Sequence, residues 1–220
     1  MRKRSYLHFS IGAASLLLID LVLAMPAEAA SFTCRASVLR VDALHAQIYE
    51  PVVANPPDTP CLTTSNALAS VVAPLPILGV ITANMVRANT YGDVLPIAAA
   101  SRVAGLNILG LVTTGALRSH ANVVSVGGKC VFSNNSSADS VAILGAPVLV
   151  GNNYLEVTIP LVGVVQFNAT LGGPTPTSGA PNLNIVTQRA LWLQITNPSL
   201  QSSAGVKEVI VGEATVDCQT

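Results

Sequence analysis

The sequence predicts an all-β protein, a single-domain antiparallel β-sandwich or β-roll, and three observations carry that expectation. Beyond Ala29, apolar and polar residues alternate with a period of two between clusters of Gly, Pro and Asn, and a helical period is hard to find. Half of the residues are hydrophobic and 10% are charged, enough apolar material to fill one core. A short apolar motif also returns along the chain, so one strand-bend-strand unit is reused.

In chain order, the first element is an export signal. Arg2, Lys3 and Arg4 precede an apolar stretch over 11–25, broken by Asp20, and Ala27 and Ala29 supply the small residues of a cleavage site. Cleavage is expected between Ala29 and Ala30, giving a signal peptide over 1–29 and one all-β domain over 30–220. The apolar stretch is too short, and too interrupted, for a membrane-spanning helix, which needs about 20 apolar residues. Ser31, Phe32 and Thr33 before Cys34 do not make a lipoprotein site.

All four cysteines lie beyond that cleavage site, and an even set in an exported chain reads as disulfides. Three connectivities are possible. Sequential pairing, Cys34 with Cys61 and Cys130 with Cys218, is favoured because it closes the proline-rich first loop and ties down the C-terminus. No two cysteines have the close spacing of a zinc site.

Strands follow from the alternation. Over 182–196, Leu183, Ile185, Leu191, Leu193 and Ile195 are expected on one face, and Asn182, Asn184, Gln188, Gln194 and Thr196 on the other. In the last strand Val206, Ile210, Ala214 and Val216 oppose Lys207, Glu213, Thr215 and Asp217, with a bulge expected at Gly212. The repeated motif reads Leu75-Pro76-Ile77-Leu78-Gly79-Val80-Ile81-Thr82 and again Leu106-Asn107-Ile108-Leu109-Gly110-Leu111-Val112-Thr113. Both copies run on to an arginine, Arg87 and Arg118, and a looser copy follows at 159–165. Its glycines are expected inside strands, as kinks or bulges. Loops are expected over 51–60, 133–137 and 172–181, where Pro, Gly, Ser and Asn crowd.

The stretch from Ser101 to Thr113, Ser-Arg-Val-Ala-Gly-Leu-Asn-Ile-Leu-Gly-Leu-Val-Thr, resembles the choice-of-anchor P family of secreted bacterial surface proteins. The strand at 158–168 and the closing Val209-Ile210-Val211-Gly212-Glu213-Ala214 are similar to that family's in the same order. The resemblance implies an exported β domain whose members often end in varied anchoring signals, and it implies no established activity. Only Gln219 and Thr220 follow Cys218, so no such signal is expected here, and Arg189-Ala190-Leu191-Trp192 stands where the family usually has a histidine.

Chemistry is sparse. Past Ala29 there are eight basic residues and nine acidic ones, a net of 8 − 9 = −1, so no basic field to attract nucleic acid or anionic lipid is expected. His45 and His120 have no carboxylate or nucleophile in a recognisable motif, and neither a phosphate loop nor a metal-binding histidine pair is present. No cofactor is therefore expected. A glycosidase-like pair could be assembled in space from Glu156, Glu208 or Asp93. Arg189 sits on an apolar register and is expected to mark a bulge or strand end. Trp192 is expected on the polar face of the same strand, where it could stack on a sugar or anchor a partner. The favoured function is a secreted surface or matrix protein acting through adhesion or assembly without catalysis. Its partner would be a further copy, a cell-surface component or a glycan. The alternatives are a secreted hydrolase with an unrecognised carboxylate site and an outer-membrane barrel.

Overall fold

When apolar residues alternate, each strand has one oily face, and two sheets laid face to face remove both from water. A computed structural model of the protein, which describes residues 31–43, 47–75, 79–172 and 184–219, has this arrangement. The expected signal peptide over 1–29, Leu78 of the repeat and most of the 172–181 loop lie outside the described residues.

β1 (Ser31–Ala43) opens the first sheet, followed by the short β2 (Gln47–Tyr49) and β3 (Val53–Ala54). The chain then lays down a second sheet as β4 (Thr64–Leu75), β5 (Gly79–Tyr91), β6 (Ile97–Ile108), β7 (Val112–Val126), β8 (Lys129–Asp139), β9 (Val141–Ile143) and β10 (Ala146–Val148). It returns to the first sheet through β11 (Leu155–Ile159), β12 (Gly163–Gly172), β13 (Ile185–Ile195), the helix α1 (Pro198–Ala204) and β14 (Val206–Gln219). The sheets run β11-β12-β13-β14-β1-β2 and β10-β9-β7-β6-β5-β4, with β3 added on β1 and β8 on β7. Pairing is antiparallel throughout, and the sheets do not close into a barrel. α1 is a single connector: Asn197 caps it by accepting from the Ser199 N–H, and Gly205 ends it in the left-handed region.

Leu39, Ile81, Leu106, Leu117, Phe167 and Leu191 are among the large side chains shut between the sheets. Burying each contributes about 1.5–3 kcal/mol. The inward face does not keep one parity along a strand, however. In the first sheet the pairing skips Asn168 and Ala190 between β12 and β13, Ala190 and Gly212 between β13 and β14, and Val38 against Gly212 on β1. These positions form one line across four strands, with φ of 55° at Asn168 and 66° at Gly212. A matching line crosses the second sheet through Met85, Gly105, Gly115 and Ser140. Each strand turns its other face inward as it passes the line.

That line corrects the expectation for 182–196. Ile185 points to solvent and Gln188 points into the sandwich at 2% exposure, because the alternation switches phase at Ala190, where β13 and both its neighbours skip one residue. Gln188 is satisfied there, donating to Ser136 Oγ and accepting from Thr170 Oγ1 at 2.6 Å. The bulge expected at Gly212 is not formed, since β14 and each neighbour skip one residue there and the register holds; its left-handed backbone instead switches the inward face, placing Ile210 on the outer face opposite the core valines 209 and 211.

Two further expectations change. Residues 133–137 are strand, not loop, within β8: Ser133, Asn135 and Ser137 face out, while Ser136 faces in toward Gln188. Their polarity fits a strand whose partners are also polar. In the repeat, the strand halves agree, with Ile81, Ala83 and Val86 inward like Val112, Thr114 and Leu117. The glycines differ: Gly79 begins β5, whereas Gly110 sits in the hairpin turn closed by the Leu111 N–H on the Ile108 carbonyl. In the second copy the bend is a hairpin turn between strands, not a kink inside one.

Candidate functional site

Two solvent-side faces carry polar residues, and they differ in kind. On the first sheet, the line through Gly212 turns Arg35 and Arg40 of β1, Arg189 of β13 and Glu213 of β14 to the same side. Glu213, 3% exposed, accepts from Arg189 Nε at 2.8 Å on one oxygen, and from Arg40 at 2.5 Å and Arg35 at 3.2 Å on the other. Arg35 also pairs with Glu50, and Arg40 with Asp42. Three guanidinium groups and three carboxylates thus neutralise one another. Burial pushes the Asp42 carboxyl above its ordinary value, opposed by Arg40 and reinforced by the neighbouring Glu208.

Trp192 belongs to this face, on the side the alternation predicted, and it is half-buried. The Arg189 guanidinium lies 4.5 Å from its ring centroid, and its Nε1–H donates to Glu208 at 2.6 Å. One ring face and the ring's donor are therefore already used within the chain. Arg189 marks neither the bulge nor the strand end expected of it: it lies inside β13 beside Ala190 and is held in an ion pair instead of reaching to water.

The second sheet is different. Arg87 on β5 lies directly opposite Arg102 on β6, and Arg102 directly opposite Arg118 on β7, all three exposed on the outer face. Arg87 is braced by Asn89 and Ser65. Arg102 and Arg118 have no hydrogen-bond or ion-pair partner among the described residues. On the register the nearest acid is Asp139, two residues past Ser137 on β8, and it makes no ion pair with Arg118. Like charges directly opposite in a sheet repel, and here nothing offsets them.

Next to the arginine row runs Asn89, Ala100, His120 and Asn135, each opposite the next on β5 to β8. Ala100 is the small member, so the row dips between taller neighbours. The result is a basin of about 470 Å³, with Ala100 on its floor and Arg102, Arg118, His120 and Asn135 around it. Asn152 stands at its rim. The loop bearing Asn152 is held by the Asn168 side chain, which donates to the carbonyls of Gly151 and Asn153, and by the Ala138 N–H on Gly151. Burial lowers the imidazole of His120 below its ordinary value, so it stands neutral at pH 7.

The arrangement supplies two free guanidinium forks beside uncharged amides and a neutral imidazole, a set suited to binding an anion and its hydroxyls. Among the described residues no group of three or more His, Cys, Asp or Glu could hold a metal. Sequence reasoning noted Arg87 and Arg118 only as the ends of a repeat and passed over Arg102. The signal was available: repeated hairpin strands flank the strand between them, and that strand carries its own arginine.

The disulfides pair as expected. Cys34 joins Cys61, and Cys130 joins Cys218, with Cα atoms 4.9 and 6.1 Å apart. The second bridge ties β8 of one sheet to β14 of the other. The fold and its two faces define an all-β antiparallel sandwich, disulfide-bonded, with a closed ionic face and an open cationic one. Models of known families, curated proteins and solved structures give no match to this chain.

Proposed function

We propose that this chain is an exported bacterial surface or extracellular matrix protein that acts by adhesion and carries out no chemistry. The observation that carries the reading is the outer face of the second sheet, where Arg102 and Arg118 stand exposed and unpaired around a basin. A sheet keeps such a row against its own repulsion when the charges are used elsewhere. The two disulfides are compatible with an extracellular or periplasmic location, and no described helix is long and apolar enough to cross a membrane. The leader-like start and the resemblance to choice-of-anchor P proteins support the same reading.

The test is to recover the protein from the producing cells, locate it, sequence its N-terminus and pass it over immobilised envelope and matrix fractions. Processing at Ala29–Ala30 and retention by at least one fraction, without turnover of that fraction, are expected. A cytoplasmic, unprocessed protein, or one that no fraction retains, overturns the reading.

One observation favours a hydrolase instead: Asp42 and Glu208 are cross-strand partners, and Asp42 has a raised pKa. Both carboxyls are already engaged, Asp42 by Arg40 and Glu208 by Trp192. Release of product from a retained glycan, lost in Asp42→Asn, would establish that reading in place of ours.

A further inference from the structure

We infer that the basin on the second sheet binds an acidic sugar of a glycan chain, with the anionic group held between Arg102 and Arg118 and the ring over Ala100. This rests on the adhesion reading and names its ligand class. The charge argument comes first. Arg102 and Arg118 are cross-strand neighbours, about 5 Å apart at the backbone, and both guanidinium groups are free of internal partners. Two forks so placed can each present paired N–H donors to one carboxylate or sulfate. Arg87 extends the row by one strand, so a second anionic group along the chain has a further cation to meet.

The uncharged surroundings select a sugar over a bare ion. Asn89, His120 and Asn135 lie one row away, and Asn152 closes the rim. Amides and a neutral imidazole both donate and accept, as vicinal hydroxyls require. Ala100 gives a flat apolar floor for the C–H face of a ring, and the basin volume of about 470 Å³ holds one or two rings. A nucleic acid fits less well. Three arginines make a short track for a phosphate backbone, and no Phe, Tyr or Trp lies in the two rows to stack on bases. The tryptophan that the sequence offered for sugar stacking is on the other sheet, occupied by Arg189.

The test is titration of the secreted protein with oligouronate, dextran sulfate and neutral oligoglucose at two salt concentrations. Binding to at least one anionic glycan, weakening with salt, and none to oligoglucose are expected. The two anionic arms distinguish carboxylate from sulfate as the group held. Arg102→Gln with Arg118→Gln should weaken binding by about tenfold or more, and Trp192→Ala should leave it unchanged. Because both arginines are exposed and unpaired, the double variant should unfold at the same temperature or higher. That separates a lost site from a lost fold. Binding that survives the double variant, or that neutral oligoglucose matches, overturns the inference, as does binding of neither anionic glycan. Retention by an envelope fraction that persists in the double variant sinks this ligand and leaves the adhesion reading standing.

Discussion

At the scale of single residues, Glu213 and Arg102 show two fates of charge on a sheet. Glu213 is buried beneath three guanidinium groups, so Glu213→Gln leaves Arg35, Arg40 and Arg189 short of a counter-charge. The expected loss is about 3–5 kcal/mol in denaturant unfolding. Asp42 behaves oppositely. Its raised pKa means that burial disfavours its charged form, a burden present at neutral pH and relieved as pH falls through the raised folded value. Asp42→Asn should therefore match or exceed the wild-type midpoint at pH 7. His120 gives the acid-side signal. Its folded pKa lies below the ordinary imidazole value of 6.5, so stability is full above that pH and falls as pH drops from there through the folded value. Melting temperatures at pH 7.5 and 5 should show a slope in the wild type that is smaller in His120→Asn.

At the scale of the element, the lines where each sheet switches its inward face decide which side chains meet water. Without Gly212 in the left-handed region, Glu213 would not share a side with Arg40 and Arg35 across the whole of β1. A Cβ at Gly212 would stand 3.1 Å from the Cβ of Ala190 at a φ that L side chains rarely adopt. Gly212→Ala should cost about 1–2 kcal/mol from the backbone alone, with the close approach adding to it. Gly127 has a similar φ with nothing near its missing Cβ, so Gly127→Ala is the control. Equal losses in equilibrium unfolding would show that Ala190 moves aside freely, against the tight line described here. The strands themselves were legible, because alternation survives on either side of the switch. Their phase was not: Ile185 and Gln188 exchange the faces expected for them because the switch at Ala190, which shifts no register, leaves no mark in composition.

For the whole molecule, the sandwich is tied by its first and last strands, β1 and β14, which pair along nearly their full length. The Cys130–Cys218 bridge then fixes that pair to the opposite sheet across a separation of 88 residues. On the chain-entropy model its removal costs about 4.5 kcal/mol, and that of Cys34–Cys61, which closes a shorter loop, about 3.5 kcal/mol. Replacing each pair by serine should reproduce this order in urea midpoints. An equal or reversed order would mean that the native contacts around each bridge, not the loop it closes, set its worth.

The sequence by itself determined the class of fold and that its cysteines pair, since each follows from local pattern: a period of two, and an even count of cysteines; which of the three connectivities forms was decided by where the folded strands place Cys130 and Cys218. Whether the charges cancel or stand open was decided only by the tertiary structure. A net of −1 beyond Ala29 says nothing of where eight cations lie. Strand register gathers three arginines of the first sheet around Glu213, and the hairpins of the second sheet align Arg87, Arg102 and Arg118 with no acid between them. Those three are 15 and 16 residues apart in the chain, and only the antiparallel pairing of β5, β6 and β7 makes them neighbours.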